Sequence, residues 1–282
     1  MFRVIVENKR GNKLAFTQNE KYTITAINGL GAPDAVINTA DVGQFDGQRF
    51  NSSKVSMRNI TMNIVISGDV ETNRIALYQI FKAKEWIRFR YRNGLRDVYI
   101  DGYIESAPVN LFSQKQEVQV SILCPEPFFK AAEEIIDDMN LVISLFYFPF
   151  SFEESGEAIS EYNEVAEKVV LNSGDIENGM IIELKAIGKV VNPKVISSDT
   201  LEFFGLNYTM ENGDVILIST EKGNKTVRLI REGIETNIFN YIMKDISWLQ
   251  LKAGDNVFVF EAEAGAEYLE VTFRHRNFYE GV

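Results

Sequence analysis

Apolar and polar residues alternate most clearly from Ile60 to Ile66. Ile60, Met62, Ile64 and Ile66 fall on one face, and Thr61 and Asn63 fall between them. A period of two over such a run predicts a half-buried strand. Shorter runs of the same kind predict strands at residues 2–6, 13–17 and 22–27, with the Ile60 strand extending over 55–66. The period then changes. Leu77, Ile80 and Phe81 recur at helical spacing, which predicts a helix from Val70 to Glu85 with those residues facing the core. Asp69 is placed to cap it, Glu71 puts negative charge in its first turn, and Lys82 and Lys84 put positive charge in its last.

From Trp86 to Arg92 the period returns to two. Ile87, Phe89 and Tyr91 point one way, and Arg88, Arg90 and Arg92 the other. Asn93-Gly94 follows, a pair that tolerates the positive φ angles of a type I′ hairpin turn. The return strand is expected at 95–104 and a further strand at 117–123. The arginine stripe is the one basic concentration on the chain. It reads either as a solvated strand face or as a surface that pairs with acidic groups on a neighbouring subunit.

Between the strands at 22–27 and 55–66 lies a polar segment of about 25 residues with no periodicity of its own. Structureless segments of that length are uncommon inside compact domains and tend to be functional. Gly43 and Gly47 weaken any helix or strand there. Yet Val36, Ile37, Val42, Phe45 and Phe50 are apolar enough to need cover. The segment reads as a mobile loop or as an arm ordered against another copy of the chain. On the second reading Val36, Ile37, Phe45 and Phe50, with Arg88, Arg90 and Arg92, are candidate intersubunit contacts.

Pro125 and Pro127 cannot continue a central strand, which puts a domain boundary after residue 129. The expected domains are 1–129 and 130–282. Beyond the boundary, short apolar runs alternate with turn signals such as Asn178-Gly179, Asn212-Gly213-Asp214 and Gly254-Asp255-Asn256. Short strands at regular spacing predict an all-β sandwich or barrel. Residues 133–139 are expected to form a turn or two of helix, and the aromatic run from Leu145 to Phe152 is expected to enter the core.

The formal charge of -11 disfavours binding along a nucleic-acid backbone. Met1-Phe2-Arg3 opens no apolar leader, and the most apolar window is too short to span a bilayer. The chain is expected to be soluble, with no membrane partner. One cysteine, Cys124, closes off disulfides and multi-cysteine metal sites and reads as a small buried hydrophobe. His275 is the one histidine, and nothing in the sequence pairs it with Cys124. No phosphate-binding glycine loop, nucleophile elbow or paired metal motif occurs. The aspartates at 175, 214 and 255 sit in turns that turn chemistry explains. No enzymatic activity, cofactor or metal is expected.

Taken in order, Gly29-Leu30-Gly31-Ala32-Pro33, Ile37-Asn38-Thr39, Arg58-Asn59-Ile60, Gly68-Asp69-Val70-Glu71, Gly102-Tyr103-Ile104-Glu105 and Cys124-Pro125-Glu126-Pro127-Phe128-Phe129 resemble the distal tail protein family. These are the baseplate hub proteins of long-tailed bacteriophages and prophages. Leu171-Asn172-Ser173-Gly174-Asp175 and Gly254-Asp255-Asn256 resemble that family's C-terminal half. The resemblance implies a mainly β protein. Its first domain is tail-tube-like with one α-helix, and its second is a galectin-like or jelly-roll β-sandwich. It further implies a hexameric ring at the end of the tail tube, in the virion tail tip, assembled in the bacterial cytoplasm. The implied partners are other copies of the chain, the tube protein, the tape-measure protein, tail-associated lysin or fibre, and receptor-binding proteins. The competing reading is a carbohydrate-binding sandwich recognising cell-wall polysaccharide, with Trp248 as a stacking surface.

Overall fold

The computed structural model describes residues 2–44, 46–113, 115–139, 142–144, 160–162 and 167–282. The chain divides into two compact units. One comprises Met1–Glu133 with Phe278–Val282, the other Glu134–Asn277.

In the first unit, β1 (Arg3–Asn8), β2 (Lys13–Ala15) and β3 (Tyr22–Asn28) precede β4 (Ala35–Asp41), β5 (Gln48–Val55) and β6 (Arg58–Ile66). Helix α1 (Val70–Ile80) is followed by β7 (Trp86–Arg92), β8 (Asp97–Ser106), β9 (Glu117–Cys124) and β10 (Phe129–Ala131). An antiparallel sheet runs in the order β2-β1-β7-β8-β9-β6-β3, with β10 paired to β8. The alternation seen in the sequence is its inner face. Ile60, Met62 and Ile64 of β6 pack with Val118, Val120 and Ile122 of β9 and with Ile87 and Phe89 of β7. Helix α1 closes this core through Leu77 and, just past its end, Phe81.

The helix starts as expected: the Asp69 side chain accepts from the Thr72 N–H. It stops at Ile80 and not at Glu85. Phe81 still donates to the Leu77 carbonyl, and Lys84 then takes a left-handed φ of +68° that turns the chain into β7. Lys82 and Lys84 therefore lie outside the helix and do not serve its last turn. The hairpin between β7 and β8 also differs from expectation. Arg92 pairs with Asp97 across a four-residue loop, and neither Asn93 nor Gly94 has a positive φ. The Asn93 side chain accepts from the N–H groups of Leu95 and Arg96. That local bond shapes the turn, so no primed geometry is needed.

The segment expected to lack periodic structure is a β-hairpin, β4–β5, paired from Ala35↔Val55 to Asp41↔Gln48. Gly43 and Gly47, with φ of +54° and +94°, lie in its connection and not in its strands, so they assist the turn. Val55 ends β5, and the chain breaks at Ser56-Met57 before β6 begins at Arg58.

The second unit holds β11 (Ile135–Met139), β12 (Val142–Ser144), β13 (Ser160–Tyr162), β14 (Glu167–Asn172), β15 (Ile181–Ala186), β16 (Val190–Val191) and β17 (Lys194–Ser197). It continues with β18 (Phe203–Gly205), β19 (Thr209–Met210), β20 (Val215–Ser219), β21 (Thr226–Arg231), β22 (Ile234–Asn237), β23 (Gly254–Glu261) and β24 (Leu269–His275). Residues 135–139 form a strand and not helical turns, because β24 offers them a full antiparallel partner. The aromatic run Leu145–Phe152 lies outside the described residues.

Two sheets form the unit's sandwich. One has the order β11-β24-β15-β20-β21-β22, the other β14-β23-β17-β18. Ile182, Leu184, Ile216, Ile218, Val271 and Phe273 from the first share a core with Val170, Val195, Phe204 and Phe258 from the second. Phe258 and Phe273 stack with ring centroids 5.0 Å apart, joining the layers. After β24 the chain returns to the first unit, where β25 (Phe278–Tyr279) pairs with β10.

Candidate assembly surface

Among the described residues the β4–β5 hairpin is paired with no other strand, and every residue of its two strands is exposed. Its two faces are unlike. Residues opposite each other in an antiparallel pair project to the same side. Ala35 with Val55 and Ile37 with Ser53 therefore mark one face. The register shifts between Asn38 and Thr39, so that Thr39 stands opposite Phe50. This irregularity moves Phe50 onto the face of Ile37 and Val55, a re-aiming that bulges commonly perform. Ile37 is 63% and Phe50 59% exposed. Val36 lies on the other face opposite Lys54 and is also exposed. Phe45 lies outside the described residues. Asn38 bonds to Ser52 and Gln48 to Asp41 across the ribbon.

The base of the hairpin is clasped by Arg58, which is 4% exposed. Its guanidinium donates to the carbonyls of Gly29 (2.6 Å), Gly31 (2.5 Å), Pro127 (2.6 Å) and Glu280 (2.6 Å). It also lies over the Phe129 ring, 4.6 Å from its centroid. Burial lowers its pKa, and the nearby Glu280 carboxylate opposes the shift. Val282 donates to the Leu30 carbonyl beside it. Gly29 has φ +84°, and a Cβ there would sit 2.1 Å from the Asn59 carbonyl oxygen. The glycine permits this close approach of β3 to β6. The clasp was not read from the sequence, although a signal was present: Arg58 lies in phase with Ile60, Met62 and Ile64, a charge on the buried face.

The arginine stripe finds carboxylates within its own sheet. Arg88 makes two bonds to Asp101, at 2.7 and 2.8 Å, and Arg90 makes two to Asp97, both at 2.7 Å. Arg92 approaches Asp97 at 3.7 Å. The bond from Arg90 holds the Asp97 carboxyl below its ordinary pKa. The stripe and the hairpin are separate features of the first unit, and the apolar face of the hairpin is the one left uncovered.

The remaining candidates for chemistry are structural. Cys124 is buried, and burial pushes its thiol up to about 12. His275 is buried in the second unit with its Nε2 3.6 Å from Asp137, beyond hydrogen-bond reach. Asp214 accepts from Arg231 and from the Glu211 N–H, and the first of these lowers its pKa. No group of metal-ligating side chains occurs among the described residues. No helix among them is long and apolar enough to cross a membrane. Trp248 is half-buried and packs between Phe204 and Phe239, at centroid distances of 4.9 and 5.8 Å. It serves the sandwich core more than an open stacking surface.

The first unit is strand-rich with one described helix and an exposed ribbon, and the second is built as a sandwich. Residues 173–277 match the model of the Siphovirus-type tail component, C-terminal domain. The whole chain is similar to the SPP1 Dit protein, whose crystal structure is described as a paradigm of hub adsorption apparatus in Gram-positive-infecting phages. The TM-score is 0.71 at 12% identity, over 98% of this chain and 99% of that one. It is also similar to a chain of the phage P2 baseplate in its activated conformation with Ca, with a TM-score of 0.55 and 11% identity over 98% of both chains. No curated protein matches the sequence. The resemblance to distal tail proteins and the mainly β fold are thus borne out, the fold over nearly the whole chain.

Proposed function

We propose that the chain is a structural baseplate hub of a phage tail. Copies close into a hexameric ring through the first unit, with the hairpin of one copy lying on the next. Likeness to the SPP1 and P2 structures supports the hub role. The observation that carries the assembly step is the uncovered apolar face of Ile37, Phe50 and Val55 on an ordered ribbon. Exposed apolar patches rimmed by polar residues mark interaction surfaces. A head-to-tail contact gives a ring when its rotation closes. In this reading the partners are the tube protein, the tape-measure protein and the tail-associated and receptor-binding components, and the site of action is the virion tail tip.

The test pairs imaging with a double substitution. Negative-stain images of the concentrated chain should show rings with a central hole. Ile37→Asp with Phe50→Asp should abolish the rings, and tail assembly with them, while thermal unfolding of the monomer stays within about 0.5 kcal/mol of the parent, as for other exposed positions. A parent that forms only dimers refutes the ring. A variant monomer that unfolds refutes the assembly role of these side chains and assigns them to the unit's own core.

A further inference from the structure

A second surface of the first unit has the composition of a binding site. A cleft of about 530 Å³ is lined by Lys9, Arg10, Lys84, Glu85, Trp86 and Tyr103. Lys9 and Arg10 come from the β1–β2 turn, Lys84 and Glu85 from the segment that joins α1 to β7, and Tyr103 from β8. Trp86 and Tyr103 are direct cross-strand partners, so their rings stand side by side on one face. Tyr103 is 49% exposed and Trp86 half-buried.

The charges in the cleft are unbalanced. Three cations face one carboxylate, and the one ion pair is long, Arg10 to Glu85 at 4.0 Å. Lys9 and Lys84 pair with no carboxylate among the described residues. This contrasts with the arginine stripe, where each guanidinium has an aspartate in its own sheet. On a chain of net charge -11, an uncompensated cationic cleft stands apart from the rest of the surface.

The backbone under both cationic walls is fixed. Asn8, 1% exposed, accepts from the N–H groups of Arg10 (3.0 Å) and Asn12 (3.1 Å) and donates to the Gln79 carbonyl (3.3 Å). This locks the turn that presents Lys9 and Arg10. On the other side Lys84 is held in the left-handed region at φ +68°, donating to the Ile104 carbonyl at 2.8 Å, and Glu85 accepts from the Ile104 N–H at 3.1 Å. A non-glycine residue in that region persists only where its surroundings over-determine it, and such residues cluster at binding sites. A ligand meeting these walls would order only side chains, which keeps the cost of binding small.

We infer that this cleft is a docking site for an acidic peptide segment of a partner protein. The segment's carboxylates pair with Lys9, Arg10 and Lys84, and one apolar side chain lies against the Trp86 and Tyr103 rings. The volume falls in the range of ligand clefts, about 300–1,000 Å³, and suits a few residues in extended form. A nucleic-acid strand fits less well. Glu85 lies in the cleft and repels phosphate, and the acidic chain opposes a long polyanion. Closure of a ring through the hairpin is not needed for this site, so the inference stands apart from the assembly reading.

The experiment uses the full chain and a fluorescein-labelled peptide of glutamates and aspartates with a central phenylalanine. Two probes accompany it: the same peptide with lysines in place of the acids, and a short oligothymidylate. Anisotropy should rise with the acidic peptide alone, and its affinity should fall as salt is raised. Lys9→Glu with Lys84→Glu should weaken binding about tenfold or more with the melting temperature unchanged, since both side chains are exposed. Tyr103→Ser, a single exposed change, should weaken it without altering the salt dependence. Absence of acidic-peptide binding overturns the inference. So does an affinity unmoved by the charge reversal, and so does preference for the oligothymidylate, which makes the cleft a nucleic-acid site.

Discussion

Arg58→Met tests whether the clasp at the hairpin base holds the first unit together. The guanidinium bonds to four carbonyls drawn from three separate segments: the β3–β4 connection, the Pro127 stretch and residues 278–282. A hydrogen bond to a charged group contributes about 1.5–3 kcal/mol, while desolvating the ion costs several kcal/mol. The two nearly cancel while the clasp is intact. Removing the guanidinium leaves the carbonyls of a buried site without their donor, and each buried acceptor left unsatisfied costs about 1–3 kcal/mol. For a unit of this size each kcal/mol shifts the melting temperature by about 3–4 °C, so Arg58→Met should melt roughly 10 °C or more below the parent. Arg58→Lys should fall between, because one ammonium cannot reach all three segments. Thermal scans of the full chain measure the shift. Hydrogen exchange in β6 and β9 locates it to the first unit. A loss below about 1 kcal/mol for Arg58→Met would refute the clasp, and an equal loss for Arg58→Lys and Arg58→Met would refute the role of the planar fork.

Two further predictions concern the second unit. Burial lowers the pKa of His275 against the opposing pull of Asp137, so the unfolded chain binds the proton first; stability is full above the unfolded value near 6.5 and is lost as pH falls from there toward the lowered folded value. His275→Gln should remove that acid-dependent loss in urea melts at successive pH, and an unchanged pH profile would show that the buried imidazole contributes nothing. We also propose that residues 134–277 fold alone, since their core is closed by two sheets of their own; that fragment should unfold cooperatively with an all-β circular dichroism spectrum, and a disordered spectrum refutes the division.

Much of the architecture was legible because burial follows periodicity. The alternation at 60–66 and 117–123 names the strands β6 and β9, and Leu77 and Phe81 name the covering face of α1. What stayed hidden depends on partners far away in sequence. Residues 135–139 have no strong pattern of their own and become a strand because β24, more than 130 residues later, pairs with them (from Ile135↔His275 to Met139↔Val271). The Asn93-Gly94 pair was read as a primed turn from type alone, whereas the Asn93 side chain supplies the bonds that make a longer loop. The arginine stripe was visible as a stripe, but its aspartates on β8 follow from register, which one-residue slips would change completely. The candidate contacts Val36, Ile37 and Phe50 stand out in the sequence by apolarity alone, in a segment without period, and the structure places them on an ordered ribbon.

The ribbon's own energetics bear on what it is for. An isolated two-stranded hairpin is marginally stable in water, because it has no third strand and no layer to cover a face. In β4–β5 the cross-strand bonds of Asn38 with Ser52 and Gln48 with Asp41 are exposed and contribute little each. The register shift at Asn38/Thr39 removes ladder bonds from a structure with few to spare. Yet without that shift strict alternation would turn Phe50 away from Ile37 and Val55, and the four large apolar side chains Val36, Ile37, Phe50 and Val55 would be split two to a face. The bulge thus sacrifices stability of the free ribbon for one coherent apolar face. Such an exchange makes physical sense when a second surface covers that face, since full burial of a phenylalanine or isoleucine contributes about 1.5–3 kcal/mol each. Arg58 and Gly29 fix the base from which the ribbon leaves its own sheet. On the proposed assembly, a ribbon anchored at its root, weak along its length and apolar on one side is covered by another copy of the chain.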